Sequence, residues 1–179
     1  MKTLKFTLLL SIWLIFLTAS VPVKRSIPPE LISSIEKKWP GSNTVLVSRQ
    51  SETDKNTILY KIVQNNELIG WAYTRRVLSC RNGGCDGPNS ASEVNVSHEY
   101  FDYYALLNSH YSILEIKVYN YAATHGQEIC SKAWLKQFKG YDGSKNLRYG
   151  KDIDAISGAT ISGIAMTEDI GTAVSMLRK

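Results

Sequence analysis

The sequence predicts an α+β domain in which antiparallel hairpins form a sheet flanked by helices, with a long helix at the C-terminal end. Three observations predict it. Residues 57–63 (TILYKIV) and 68–73 (LIGWAY) are apolar, β-branched and aromatic runs on either side of Gln64-Asn-Asn-Glu67, a hairpin signal. Residues 100–107 and 113–120 form a second such pair around Asn108-Ser-His-Tyr-Ser112. Met166, Ile170, Ala173, Val174 and Leu177 then recur at helical spacing. Two hairpins and two main helices make an α+β domain.

The elements follow in order. Lys2 and Lys5 mark a basic start, residues 6–17 (FTLLLSIWLIFL) are almost wholly apolar, and small Thr18, Ala19 and Ser20 follow. Residues 1–20 therefore read as a signal peptide cut near Ala19 or Ser20. The alternative is an uncleaved N-terminal membrane anchor, because the apolar stretch extends to Val23, about 18 residues. Either way the folded part, residues 26–179, is expected outside the cytoplasm, in the periplasm or on the outer face of the inner membrane. Ser26-Ile-Pro-Pro opens a short helix through about Lys38, with Leu31, Ile32 and Ile35 on one face, and Pro40-Gly41 stops it. Residues 44–47 (TVLV) read as a strand, and residues 79–97, rich in Gly, Asn, Ser and Cys, as a loop. In the second hairpin Leu114, Ile116 and Val118 alternate with Glu115, Lys117 and Tyr119, which predicts one buried face. Thr124 and Gln127 have capping-box spacing, so a helix is predicted from there to about Phe138, its apolar face made by Ile129, Cys130, Ala133, Trp134 and Phe138. The last helix is predicted from about Thr160 to Leu177.

Size and composition bound the function. A chain of 179 residues, 44% hydrophobic and 21% charged, suits one globular domain plus a targeting segment. The net charge of +5 falls to +3 once a leader carrying Lys2 and Lys5 is removed. No basic stripe is interleaved with aromatics, which excludes nucleic acid as a partner. The modest surplus suits acidic redox partners or anionic lipid without distinguishing them. Cys80 and Cys85, in Cys-Arg-Asn-Gly-Gly-Cys, can close a small disulfide loop in an oxidising compartment, leaving Cys130 as a buried small hydrophobe. A zinc set of Cys80, Cys85, Cys130 and His98 lacks the paired ligand spacing of such sites, so no metal is expected.

The segment Asp154-Ala-Ile-Ser-Gly-Ala-Thr160-Ile-Ser162 carries the chemistry. It presents the hydroxyl of Thr160 on a backbone stripped of bulk by Gly158 and Ala159, where unpaired helix N–H groups favour an anion. Read locally, Ser157-Gly158 before an apolar run is also an ordinary helix cap and turn.

Taken whole, the segment resembles the signature of the FMN-binding domain family, which includes the flavin-carrying subunits of Rnf and sodium-translocating NADH:quinone oxidoreductase complexes. The resemblance implies FMN joined through a phosphoester to Thr160 by a magnesium-dependent flavin transferase that takes FMN from FAD and releases AMP. It makes Asp154 and Ser157 recognition or phosphate-surround positions, with Ser162 a further phosphate donor. Thr124, His125, Gly126 and Glu128 are candidates to line the flavin. Trp134 and Tyr141 could stack on its ring, though aromatics at helical spacing usually belong to the core. The signature covers the nine residues above, and a weaker domain-wide likeness runs from about Phe101 to Leu177. His125-Gly-Gln-Glu-Ile-Cys departs from the His-x-Glu-Thr-Pro-Gly-Leu pattern of the complex subunits, which leaves membership of an Rnf-type complex open.

The leading expectation is an exported, membrane-associated or periplasmic electron carrier, without catalytic residues of its own, serving membrane or extracytoplasmic redox partners. The alternatives are a small flavin or thiol oxidoreductase using Cys80 and Cys85, and a non-redox binding domain in which Ser-Gly-Ala-Thr only caps a helix.

Overall fold

A computed structural model of the chain describes residues 27–41, 44–50, 57–81 and 98–178. The leader or anchor, Cys85 and most of the predicted loop of residues 79–97 lie outside the described residues, as does the side chain of Cys80, so the disulfide does too. No helix among the described residues is long and apolar enough to cross a membrane.

Helix α1 (Pro29–Lys38) precedes five strands, β1 (Thr44–Gln50), β2 (Thr57–Gln64), β3 (Glu67–Arg81), β4 (His98–Asn108) and β5 (Ile113–Tyr121). They pair in sequence order as one antiparallel sheet, so each strand lies against its predecessor and β1 and β5 form the edges. Asn65 and Asn66, at φ 51° and 67°, close the β2–β3 hairpin in the left-handed conformation that a two-residue turn on twisted strands needs. β3 continues to Arg81, two residues beyond Ser79, where the sequence had suggested a loop.

Both faces of the sheet are covered. On one, Leu31 and Ile35 of α1 pack with Tyr60, Ile62, Ala72, Tyr104 and Leu106. On the other, α3 (Thr160–Arg178) sets Met166, Ile170, Ala173 and Val174 against Tyr73, Val77, Phe101, Tyr103 and Ala105. Alternate residues of β3 and β4 thus serve opposite cores, which the period of two requires. Polar contacts reinforce the α3 face: Tyr103 Oη donates to Asp169 Oδ2 at 2.6 Å, and Arg75 Nη2 lies 2.5 Å from Asp169 Oδ1.

Two expectations need correction. Register shifts between Leu106 and Leu107 and between Asp102 and Tyr103 break the simple alternation of β5. Leu114 consequently packs on the α1 face, apart from Ile116 and Val118 on the α3 face, while Tyr119 lies opposite those two as expected but is also covered, by the α1 layer. The helix predicted from Thr124 is absent. Gly126 is left-handed at φ 95°, the Thr124 hydroxyl bonds Glu99, and the chain makes a 3₁₀ turn (Gln127–Cys130), a short α2 (Lys132–Leu135) and another 3₁₀ turn (Lys136–Phe138). The change of pitch moves the buried face to Ile129, Trp134, Leu135 and Phe138 and leaves Cys130 and Ala133 exposed.

Candidate functional site

α3 begins at Thr160, and its first backbone bond to a residue ahead of it runs from Gly163 N–H to Ala159 C=O, at 2.8 Å. The amides of Thr160, Ile161 and Ser162 are therefore the unsatisfied donors of the first turn. The side chain of Thr160 is exposed, whereas Ala159 is 2% exposed and sits in the core. That single buried methyl group pins the turn from beneath, and Gly158 alone supplies the bare outer backbone.

Gly158 has φ 83°, and a Cβ placed on it would come within 2.8 Å of Glu128 Oε1. Glu128 and the Ser157–Gly158 turn are thus in van der Waals contact across 30 residues of chain. A second junction lies beside it. Ser162, 2% exposed, shares its hydroxyl with Ser79 Oγ at 2.9 Å and with Tyr121 Oη at 3.1 Å. Tyr121 Oη also lies 2.5 Å from the His125 carbonyl oxygen, its acceptor. Gly126 fits beneath, where an added Cβ would lie 2.7 Å from both Ser162 Oγ and Tyr121 Oη. Burial raises the Tyr121 phenol above its ordinary range.

The segment leading into α3 is held by its main chain. Trp134 Nε1 donates to the Asp154 carbonyl at 2.8 Å, and Gln137 Oε1 accepts from Asp154 N–H at 2.8 Å. Tyr149 Oη accepts from Ile156 N–H at 2.8 Å. Upstream, Asp152 accepts from both Arg148 N–H and Nε–H at 3.0 Å, and the bond to Arg148 holds its carboxyl below the usual carboxylate range. The side chains of Asp154 and Ser157 are left exposed.

The fold therefore brings together the two segments singled out in the sequence, Thr124–Glu128 and Asp154–Ser162, through the Glu128–Gly158 and Gly126–Ser162 contacts. Thr124 and His125 are exposed at the rim; the His125 carbonyl is used, and its imidazole makes no hydrogen bond among the described residues. Trp134 and Tyr141 are core residues. Trp134 packs edge-on against Phe138, and Tyr141 Oη bonds the Lys145 carbonyl at 2.8 Å. Neither presents a face for stacking, yet Trp134 orients Asp154. Ser79, Tyr121 and Tyr149 were missed. Ser79 stood at the start of a predicted loop and Tyr121 just past a predicted strand end, and only the extra length of β3 and β5 carries them to α3. Among the described residues no group of acidic, cysteine or histidine side chains could hold a metal ion.

Residues 102–175 match the family model described as the FMN-binding domain. The match takes in β4 from Asp102 onward, β5 and every candidate residue from Thr124 to Ser162, and it nearly coincides with the likeness seen between Phe101 and Leu177. No curated protein matches the chain.

Proposed function

The chain carries a domain of the FMN-binding family, and on that premise we propose that it is an exported electron carrier whose FMN is joined by a phosphoester to Thr160. The observation that carries the reading is the exposed Thr160 hydroxyl at the first residue of α3, two residues after a left-handed glycine that carries no side chain. The surroundings fit a phosphate there. The orphan amides of Thr160, Ile161 and Ser162 favour an anion by about 0.3–1 kcal/mol at an exposed helix end. The Ser162 hydroxyl is already shared with Ser79 and Tyr121, so its contribution would be its amide.

A Thr hydroxyl is not nucleophilic unaided, so attachment needs a transferase. In the reaction that the family likeness implies, Thr160 Oγ bonds the FMN phosphorus of FAD, the pyrophosphate bond breaks, AMP leaves, and the hydroxyl proton passes to a base of the transferase. Gly158 lets the two backbones approach, and Asp154 and Ser157 offer exposed side chains for recognition. Once held, the flavin supplies reversible electron transfer, and the protein sets its orientation and solvent access. His125 and Glu128, both exposed, offer polar side chains to tune it. The basic, apolar start of the sequence supports delivery across the cytoplasmic membrane, by cleavage or by anchoring.

Coexpression with a flavin transferase tests the reading. The wild-type chain should gain the mass of FMN less water and stay fluorescent in a denaturing gel, with peptide mapping placing the adduct on Thr160. Thr160→Ala should lose the band entirely and remain folded, since an exposed first-turn side chain contributes little to packing. A labelled Thr160→Ala, or an unlabelled wild type beside an active transferase, rejects the assignment.

A further inference from the structure

On the far side of the Gln127–Phe138 segment, between it and the outer edge of β5, lies a groove of about 370 Å³. Exposed Lys37 of α1, Lys117 of β5 and Lys132, Lys136 and Lys139 surround it, with Leu114, Val118 and Leu135 as apolar floor. Its one carboxylate, Glu115, takes a hydrogen bond from Ser34 Oγ at 2.9 Å. Five ammonium groups against one carboxylate leave a formal +4, whereas the chain without Lys2 and Lys5 carries +3. The remainder of that chain is therefore close to neutral, and its positive charge is gathered at this groove. None of the five lysines pairs with a carboxylate among the described residues.

We propose that the groove docks an extended acidic segment of a partner protein, laid along β5. Charge complementarity selects an anionic occupant, and steering by such a field is a kinetic advantage for a transient encounter. The concave shape favours a polypeptide segment over a flat bilayer, and the lack of aromatic lining offers nothing on which nucleic-acid bases could stack. Among the described residues β5 has a strand neighbour on one side only, and its outer side pairs just at Ile113, with Gly140 and Tyr141. Lysines along such an edge repel a second copy of the same edge while leaving it open to a strand of opposite charge. Apolar floor residues between the lysines suit a segment that alternates acidic and aliphatic side chains. The groove reaches Cys130, two residues from Glu128, which meets the Gly158 turn. This docking does not depend on the flavin reading, because it is read by binding alone.

The probe is a fluorescein-labelled peptide of about ten residues alternating Glu and Val, matched to the length of an edge strand, titrated onto the purified chain by anisotropy. Binding should weaken as salt rises and fall at least about tenfold in the triple variant Lys132→Glu, Lys136→Glu, Lys139→Glu. A variant with Lys61→Glu and Lys151→Glu, which lowers the net charge elsewhere, should stay within about twofold of wild type. In the unaltered chain the peptide should also slow maleimide modification of Cys130, exposed at the groove and followed by peptide mapping, which needs no lysine variant to fold. Equal binding by the triple variant, or no protection of Cys130, overturns the proposal. Phosphatidylglycerol vesicles that bind through the same lysines while the peptide does not would make the groove a membrane face instead.

Discussion

At Gly158 two independent restraints meet in one residue. Its φ of 83° lies where a Cβ costs about 1–2 kcal/mol, and the position that Cβ would take is crowded by the Glu128 carboxylate. Gly158→Ala is expected to lower stability by about 1–2 kcal/mol in urea unfolding and to reduce flavin incorporation sharply, since the turn that presents Thr160 is disturbed. Adding Glu128→Ala should recover only the crowding part, because backbone strain stays. A Gly158→Ala chain as stable as wild type would show that the turn relaxes without cost. Of the residues around it, Thr160, Gly158 and Glu128 were legible from the sequence as residue types in a pattern. Ser79 and Tyr121 were not, because nothing local distinguishes a hydroxyl that ends on α3 from one that ends in water.

For whole elements, the segment from Thr124 to Phe138 shows how a local signal can lose. Thr124 and Gln127 have the spacing of a capping box, but Gly126 between them is left-handed and Thr124 is engaged by Glu99. What wins is the contact of Gly126 with Ser162 and Tyr121, together with burial of Ile129, Trp134, Leu135 and Phe138. α3, by contrast, follows its sequence pattern closely, since its apolar stripe and its packing face agree. Its orientation on the sheet also depends on Asp169, held between Arg75 and Tyr103 with side chains 15% and 13% exposed across the ion pair. Asp169→Asn should destabilise the chain by about 3 kcal/mol, because it breaks a largely buried ion pair and weakens the acceptor of the Tyr103 hydroxyl. A loss below about 1 kcal/mol in urea unfolding would assign the docking of α3 to apolar packing alone.

Across the molecule, the sheet carries fully buried tyrosines on both faces, Tyr73 and Tyr103 toward α3 and Tyr60 and Tyr104 toward α1. Burial raises all four phenols; Tyr104 is pushed up to about 12, with Glu115 adding to its shift. A raised folded-state value means that the unfolded chain loses these protons first. The contribution is whole below about pH 10 and is lost as pH rises through about 12 at Tyr104. Stability should therefore fall steeply above pH 10, with tyrosinate absorbance and loss of circular dichroism rising together. Tyr104→Phe should flatten that slope. Phenolate appearing well before unfolding would mean that water reaches these rings in the native state.

Alternating strands, the Asn-Asn turn and the stripe of α3 were determined by the sequence alone, because each rests on contacts within a few residues and on one period. So was the place of Thr160 at the first residue of α3, which rests on the glycine and the apolar stripe beside it in the chain. Tertiary structure decided the rest: the bulges that send Leu114 and Ile116 to opposite cores, the breaking of the helix after Thr124, and the meeting of Glu128 with Gly158 and of Ser79 with Ser162. Those depend on where α3 lands on the sheet. That placement buries the apolar stripe of α3 against the sheet and leaves no trace at the single positions it brings together.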